Sequence, residues 1–299
     1  MKIFDAHIHI GGDSKPDPKA LIEKMEAGGV YGGGLYSIEP INPDFTYEER
    51  MNSLFSWVEG YEDRLFPFAW IHPHEDNVLE QVKDCAKRGV AGFKFIAGTY
   101  SIRDEKAQDV FRLVEELRLP AFFHTGILWE MSENIDDNRP GNWEQFVNYK
   151  SLKFCMCHCS YPWYDECLAM YGKFNWMTNH AQKAANGEHT LYANYPWVKE
   201  HITEKDGKRI AETPEMYMDT TPGANGLYRD DLLKKLCYLV PDGKRVMFGT
   251  DRHAETYQPE VTSYWISEQN RVFDEVHATE EFRNNFYRES FLRFMGKAE

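Results

Sequence analysis

Eight short apolar runs, separated by segments of helical periodicity, constrain this chain more than any other feature. The runs are Lys2–Ile10, Gly34–Ile38, Leu65–Ile71, Gly92–Ile96, Ala121–His124, Lys153–Cys159, Met216–Thr220 and Arg245–Gly249. Most are too short for helices and are rich in Phe, Ile, Val or Tyr, residues that suit a pleated, half-buried surface. Between them the period changes. Asp17-Pro18 offers an N-cap followed by proline at the first helical position. Met51, Leu54, Phe55 and Val58 recur at helical spacing after Thr46, and Leu79, Val82, Cys85 and Ala86 form a stripe that ends before Gly89. Val110, Phe111, Val114 and Leu117 follow Asp104; Leu232, Leu233, Leu236 and Leu239 mark a late helix, and Phe286–Met295 closes the chain. Strand alternating with helix implies parallel strands joined by right-handed crossovers. Eight such repeats predict closure into a (β/α)₈ TIM barrel, one domain over residues 1–299, with an open doubly wound sheet as the structural rival.

The connections are uneven. The stretch from Tyr171 to Pro214, after the sixth strand, is long and rich in Asn, His, Tyr and Trp. In a barrel it is expected to overhang the C-terminal mouth as a lid or substrate wall, with an ordinary surface excursion as the alternative. A length of 299 residues and 42% hydrophobic content suit a single packed barrel and exclude a disordered chain. The net charge of -14 argues against a nucleic-acid partner. No apolar run approaches the roughly 20 residues that cross a bilayer, and the opening Met1-Lys2-Ile3-Phe4-Asp5 has no signal-peptide pattern. The expectation is a cytoplasmic protein acting on a small molecule, with assembly into a homo-oligomer left open. Cys155, Cys157 and Cys159 alternate along the sixth run, which as a strand puts all three on one face and His158 on the other. They read as small buried hydrophobes, because a thiolate metal site would want a turn-like CxxC spacing that is missing.

The chemistry-bearing residues fall at strand ends. In Asp5-Ala6-His7-Ile8-His9, period-two alternation places Asp5, His7 and His9 on one face, where two imidazoles can ligate one metal ion. His124 ends the fifth run, His158 lies near the end of the sixth, and Asp251 follows the eighth. Each sits at the C-terminal end of an apolar strand, the end that carries the catalytic face of a barrel. Burying such a set is costly unless its members are paired or metal-bound.

In this order the residues resemble the amidohydrolase superfamily, and within it the amidohydrolase-related branch that includes aminocarboxymuconate semialdehyde decarboxylase and small-ring lactonases. The resemblance rests on Asp5-x-His7-x-His9, Gly92-Phe-Lys94, Pro120–Gly126, the His158 segment, Tyr217-Met-Asp219 and Gly249-Thr-Asp251. It implies metal ligands at His7, His9, His124 and Asp251, and makes His158 a further ligand or the group that polarises a substrate carbonyl. Relatives often carry glycine two residues after that histidine; here the place is taken by Ser160. Some members carry a carboxylated lysine on strand four that bridges two metals. Lys94 occupies that strand, and its alternative is a lysine paired to a carboxylate near the mouth.

A bound Zn²⁺, or another divalent ion, lowers the pKa of its water toward about 7. Asp251 could take that water's proton and deliver it to the leaving group, while His158 stabilises the oxyanion. The expected activity is hydrolysis of a lactone, ester or amide that carries a carboxylate, with one metal ion. Non-oxidative decarboxylation on the same scaffold is the alternative. A metal-dependent nuclease fits less well, because Lys94 stands where those resemble a pattern with glutamate. Candidate substrate contacts are His72 (with His74), Tyr100, Trp129 and Arg252, the last as a planar fork for a carboxylate. Trp143, Trp163 and Tyr164 are further aromatic wall candidates.

Overall fold

The computed structural model describes residues 1–12, 14–129, 135–221 and 226–297. The barrel strands are β1 (Phe4–His9), β2 (Gly32–Tyr36), β3 (Leu65–Trp70), β4 (Gly92–Phe95), β5 (Ala121–Phe123) and β6 (Lys153–Met156). A hairpin of β7 (Ile202–Lys205) and β8 (Lys208–Ala211) stands apart, and the barrel resumes with β9 (Glu215–Asp219), β10 (Val246–Met247) and β11 (Arg252–His253). Their order is β10-β9-β6-β5-β4-β3-β2-β1-β11, with every neighbouring pair parallel. The two ends of this sheet are two halves of one stretch of chain. Phe248 accepts from Ala6 N at 2.9 Å, and Asp251 N donates to His7 O at 2.9 Å. Residues 246–253 therefore serve as the eighth strand, and the sheet closes into the expected (β/α)₈ barrel. At the seam a Cβ on Gly249 would lie 2.6 Å from Thr221 Cγ2 and 3.0 Å from His7 Cβ. Only glycine lets the first, seventh and eighth strands approach this closely.

Helices α1 (Pro18–Ala27), α2 (Tyr47–Val58), α3 (Val78–Arg88), α4 (Glu105–Glu116), α5 (Tyr164–Ala185), α7 (Gly226–Leu239) and α8 (Pro259–Glu275) follow the strands, except that β5 is followed by a 3₁₀ helix over Pro140–Asn148; short α6 (Pro196–Glu200) lies beside the hairpin. Asp17 caps α1 through its side chain, and Thr46 with Glu49 forms a capping box on α2. The apolar stripes of these helices bury against the outside of the barrel in a continuous core. A second core fills the interior: Phe4, Ala6, Tyr36, Phe66, Phe68, Phe122, Cys155, Cys157, Tyr217 and Met247. Short α9 (Glu280–Asn284) leads toward α10 (Ser290–Phe294), which inserts Phe291 and Phe294 into that interior. The Phe294 ring lies 4.8 Å from Phe122 and 4.9 Å from Tyr217. The C-terminal helix thus plugs the N-terminal end of the barrel.

Three expectations are corrected. In β1 the pairing with β2 advances three residues from Asp5 to Ile8 against two from Gly33 to Leu35, which is a β-bulge. Phe4 and Ala6 point into the barrel, yet so do His7 and His9, and Asp5 turns away from them to Thr250 and Tyr257. A Cβ on Gly33 would sit 2.2 Å from Asp5 O, so β2 needs glycine beside the bulge. Second, β6 stops at Met156, and His158, Cys159 and Ser160 take positive φ of 59°, 43° and 60°. Strand alternation ends there, so Cys159 joins the outer core instead of sharing a face with Cys155 and Cys157.

Third, the long connection is not a lid. It begins within α5, a helix of 22 residues or about 33 Å at 1.5 Å per residue, which carries the chain from the mouth to the opposite end. The residues after α5 pack at that far end: Trp197 Nε1 donates to Val147 O and His201 bonds Tyr149 O, both just before β6. Glu212 pairs with Arg118, just before β5. Among the described residues no helix is long and apolar enough to cross a membrane.

Candidate metal centre

At the C-terminal ends of the strands lies a cavity of ≈ 570 Å³ whose lining includes His7, His9, Lys94, His124, His158 and Asp251. The bulge in β1 aims His7 and His9 into it side by side. His7 is fully buried, and its Nδ1 lies 2.9 Å from Asp219 Oδ2. With Nδ1–H donating to that carboxylate, Nε2 presents its lone pair to the cavity. His7 Nε2 is 3.1 Å from His9 Nε2 and 3.3 Å from Asp251 Oδ1, and His9 Nε2 is 3.2 Å from the same oxygen. Bonds of about 2.0–2.1 Å in a tetrahedral site put donor atoms about 3.3 Å apart, so this triangle has the dimensions of a metal-binding face.

The charge states agree with that use. Burial pushes the His7 imidazole down to about 3, helped by Lys94, and burial likewise lowers His9, His124 and His158. Neutral imidazoles are the ligand form. Burial alone would raise Asp251 and Asp219, but the facing histidines hold both carboxyls below the usual range. Asp219 also accepts His158 N at 2.7 Å, Thr221 Oγ1 at 2.7 Å and Thr221 N at 3.2 Å. It ties the first and sixth strand ends together from the seventh.

His124 and His158 form a second contact. His124 Nε2 donates to Ile127 O at 3.2 Å, and His158 Nδ1 donates to Thr221 Oγ1 at 2.5 Å, since that hydroxyl gives its proton to Asp219. The remaining nitrogens, His124 Nδ1 and His158 Nε2, face each other at 3.2 Å. Two lone pairs at that distance repel unless a proton or a cation lies between them. His124 therefore stands beside His158, outside the triangle of His7, His9 and Asp251. Ser160, in the place where relatives often have glycine, keeps a positive φ and donates to Thr125 Oγ1 at 2.8 Å. That bond helps hold a left-handed conformation that costs an L-residue about 1–2 kcal/mol.

The other expected positions divide. Trp129 lines the cavity, 77% exposed at its rim. Arg252 does not line it. It pairs with Ile8, whose side chain faces the outer core, whereas His253 pairs with His9 and reaches the cavity. His72 bonds Thr99 and meets the Tyr100 ring edge to face beyond the cavity lining, and His74 bonds Asp104. Trp143 packs in the core against Phe123 and Phe146, and neither Trp163 nor Tyr164 lines the cavity. Lys94 is fully buried, but it is not paired to a carboxylate: its contacts are His7 Nε2 at 3.3 Å, Cys157 Sγ at 3.2 Å and the Tyr36 ring. Sequence reasoning missed the role of Asp219. Its signal was there, an acidic residue ending an apolar strand as Asp251 does.

A closed barrel with this polar mouth defines the class of protein. The amidohydrolase family model matches residues 41–287, and the chain belongs to that family. The matched segment begins after β2, so the place of His7 and His9 rests on the geometry. Similar solved structures include a protein described as a probable 2-pyrone-4,6-dicarboxylic acid hydrolase from Acinetobacter baumannii with citric acid bound, at 10% identity and TM-score 0.57 over 99% of this chain and 100% of that one. The 5-carboxyvanillate decarboxylase from Sphingomonas paucimobilis matches at 11% identity and TM-score 0.61, over 99% of both chains. The 2,6-dihydroxybenzoate decarboxylase from Rhizobium matches at 14% identity and TM-score 0.55, also over 99% of both. No curated protein matches in sequence.

Proposed function

We propose that the chain is a metal-dependent hydrolase that cleaves a C–O or C–N bond in a small molecule, one catalytic unit over its whole length. The observation that carries this reading is the triangle of His7 Nε2, His9 Nε2 and Asp251 Oδ1, with sides of 3.1–3.3 Å. These three would hold one divalent ion, Zn²⁺ by their donor types, with His124 as the further donor. Use of His124 Nδ1 as a donor would also relieve its repulsive contact with His158. When bound, such an ion supplies Lewis acidity toward a carbonyl oxygen and toward water.

The chain's own groups do the rest. Asp219 fixes the His7 tautomer and the His158 backbone. Asp251 Oδ2, 4.0 Å from His158 Nδ1, is free of the triangle and takes the proton of the attacking water, then returns it to the leaving atom. In the tautomer with its proton on Nε2, where the Thr221 hydroxyl turns to donate to Nδ1, His158 would donate a hydrogen bond to the substrate's carbonyl oxygen. Ile38, Ile96 and Leu128 wall the cavity and limit water near the reacting atoms.

The test pairs metal analysis with a panel of lactones, esters and amides. The expected result is one zinc per chain, lost together with turnover in His7→Ala. Full activity after exhaustive chelation would sink the reading, and CO₂ release in place of water uptake would assign the site to decarboxylation.

A further inference from the structure

We propose that Lys94 binds the substrate's carboxylate, so that the cavity selects small organic anions with an apolar body. The argument rests on the metal reading in one respect, the fate of His7 Nε2. Lys94 projects from the middle of the sheet, paired with Trp70 on β3 and Phe122 on β5, and lines the cavity while fully buried. Among the described residues its polar contacts are His7 Nε2 and Cys157 Sγ, with the Tyr36 ring 5.0 Å away. None of these is an anion. The Asp219 carboxylate lies near enough to feel the Lys94 charge but does not touch it, and a buried cation with no carboxylate in contact, at the floor of a binding cavity, is complementary to an anionic ligand. Once His7 Nε2 serves a metal ion, only Cys157 remains as a polar neighbour, and two of the three Lys94 donors are left for substrate. The residue that sequence spacing offered for this task cannot do it, because Arg252 lies on the outer face with Ile8. Above Lys94, the side chains of Ile38, Ile96, Leu128, Trp70 and Trp129 supply apolar surface beside the polar Glu39, Asn42, Tyr161 and His253. The cavity therefore presents a cation at its floor and apolar side chains on part of its wall, against which the body of a small organic anion can pack.

Calorimetric titration of the zinc-loaded protein with benzoate and with benzamide tests this. The two probes have the same ring and differ in charge. Benzoate is expected to bind at least about tenfold more tightly than benzamide, as a charge-assisted contact would give. Lys94→Gln should erase that preference with the zinc content unchanged. Equal or undetectable binding of the two probes overturns the proposal, and so does a preference that survives in Lys94→Gln, since the anion would then be held by the metal. Two zinc ions per chain, falling in the variant, would instead make Lys94 a carboxylated metal ligand and also overturn it. If the protein takes up no zinc, the hydrolase reading fails. The same titration of metal-free protein at pH 8 then still decides the role of Lys94. Should Lys94→Gln not fold, as circular dichroism would show, Lys94→Met, which keeps the length of the chain without its charge, replaces it.

Discussion

At the scale of single residues, the most informative position is one that touches neither the cavity nor a substrate. Asp219 accepts four hydrogen bonds, from His7 Nδ1, the His158 and Thr221 backbones and the Thr221 hydroxyl. Replacing it with asparagine keeps the shape but turns one acceptor into a donor facing N–H groups. Asp219→Asn is expected to weaken metal affinity by about 10–100-fold, the usual effect of losing a carboxylate behind a ligand histidine. Competition against a fluorescent chelator reads this directly; unchanged affinity would mean that Asp219 only holds the strands together. Sequence could nominate His7, His9, His124, His158 and Asp251, because polar groups at apolar strand ends stand out. It could not separate His124 from the triangle, nor turn Arg252 away, because those outcomes depend on which face each backbone presents.

At the scale of elements, two segments that look peripheral have opposite weight. The last helix, α10, is only five residues long, yet Phe294 is fully buried among Phe122 and Tyr217 in the barrel interior. Phe294→Ala should cost about 3–5 kcal/mol through lost burial and an unfilled cavity, read as a lower urea midpoint. A cost below about 1 kcal/mol would mean that the plug is dispensable. The hairpin of β7 and β8 is the converse case. Docked at the end opposite the cavity, it should tolerate replacement of residues 202–211 by a short Gly-Ser turn without change in zinc content or kcat/KM. A selective rise in KM would restore it as part of the substrate wall. The sequence marked this segment as unusual in length and composition. It could not say on which side of α5 the extra chain falls, and that order decides which end of the barrel receives it.

At the scale of the whole molecule, stability depends on holding the last strands of the barrel in place so that it can close. Glu215 and Arg245 pair at the starts of β9 and β10, and Arg245 lies 4.6 Å over the Tyr217 ring. Burial alone would raise the Glu215 carboxyl, but Arg245 holds it below its ordinary 4.5. A carboxylate depressed in the folded state contributes stability that is present above 4.5 and lost as pH falls through the folded value. Glu215→Gln should therefore cost about 1 kcal/mol at pH 7, and the gap from wild type should close under acid. Urea midpoints of both proteins at pH 7 and pH 3 check the sign; a gap that widens in acid contradicts it. By itself the sequence determined the barrel, because eight apolar runs alternating with amphipathic helices have few other ways to bury both faces of a parallel sheet. It also determined which side chains could meet at the mouth, since strand ends are fixed by the same pattern. Only the tertiary structure decided the rest. The β1 bulge sets His7 beside His9 and sends Asp5 behind them, a left-handed turn lifts His158 out of its strand, and barrel closure brings Asp251 to the pair. Each depends on close backbone approach between segments far apart in the chain, at Gly33 and Gly249 for instance, and local periodicity carries no record of such contacts.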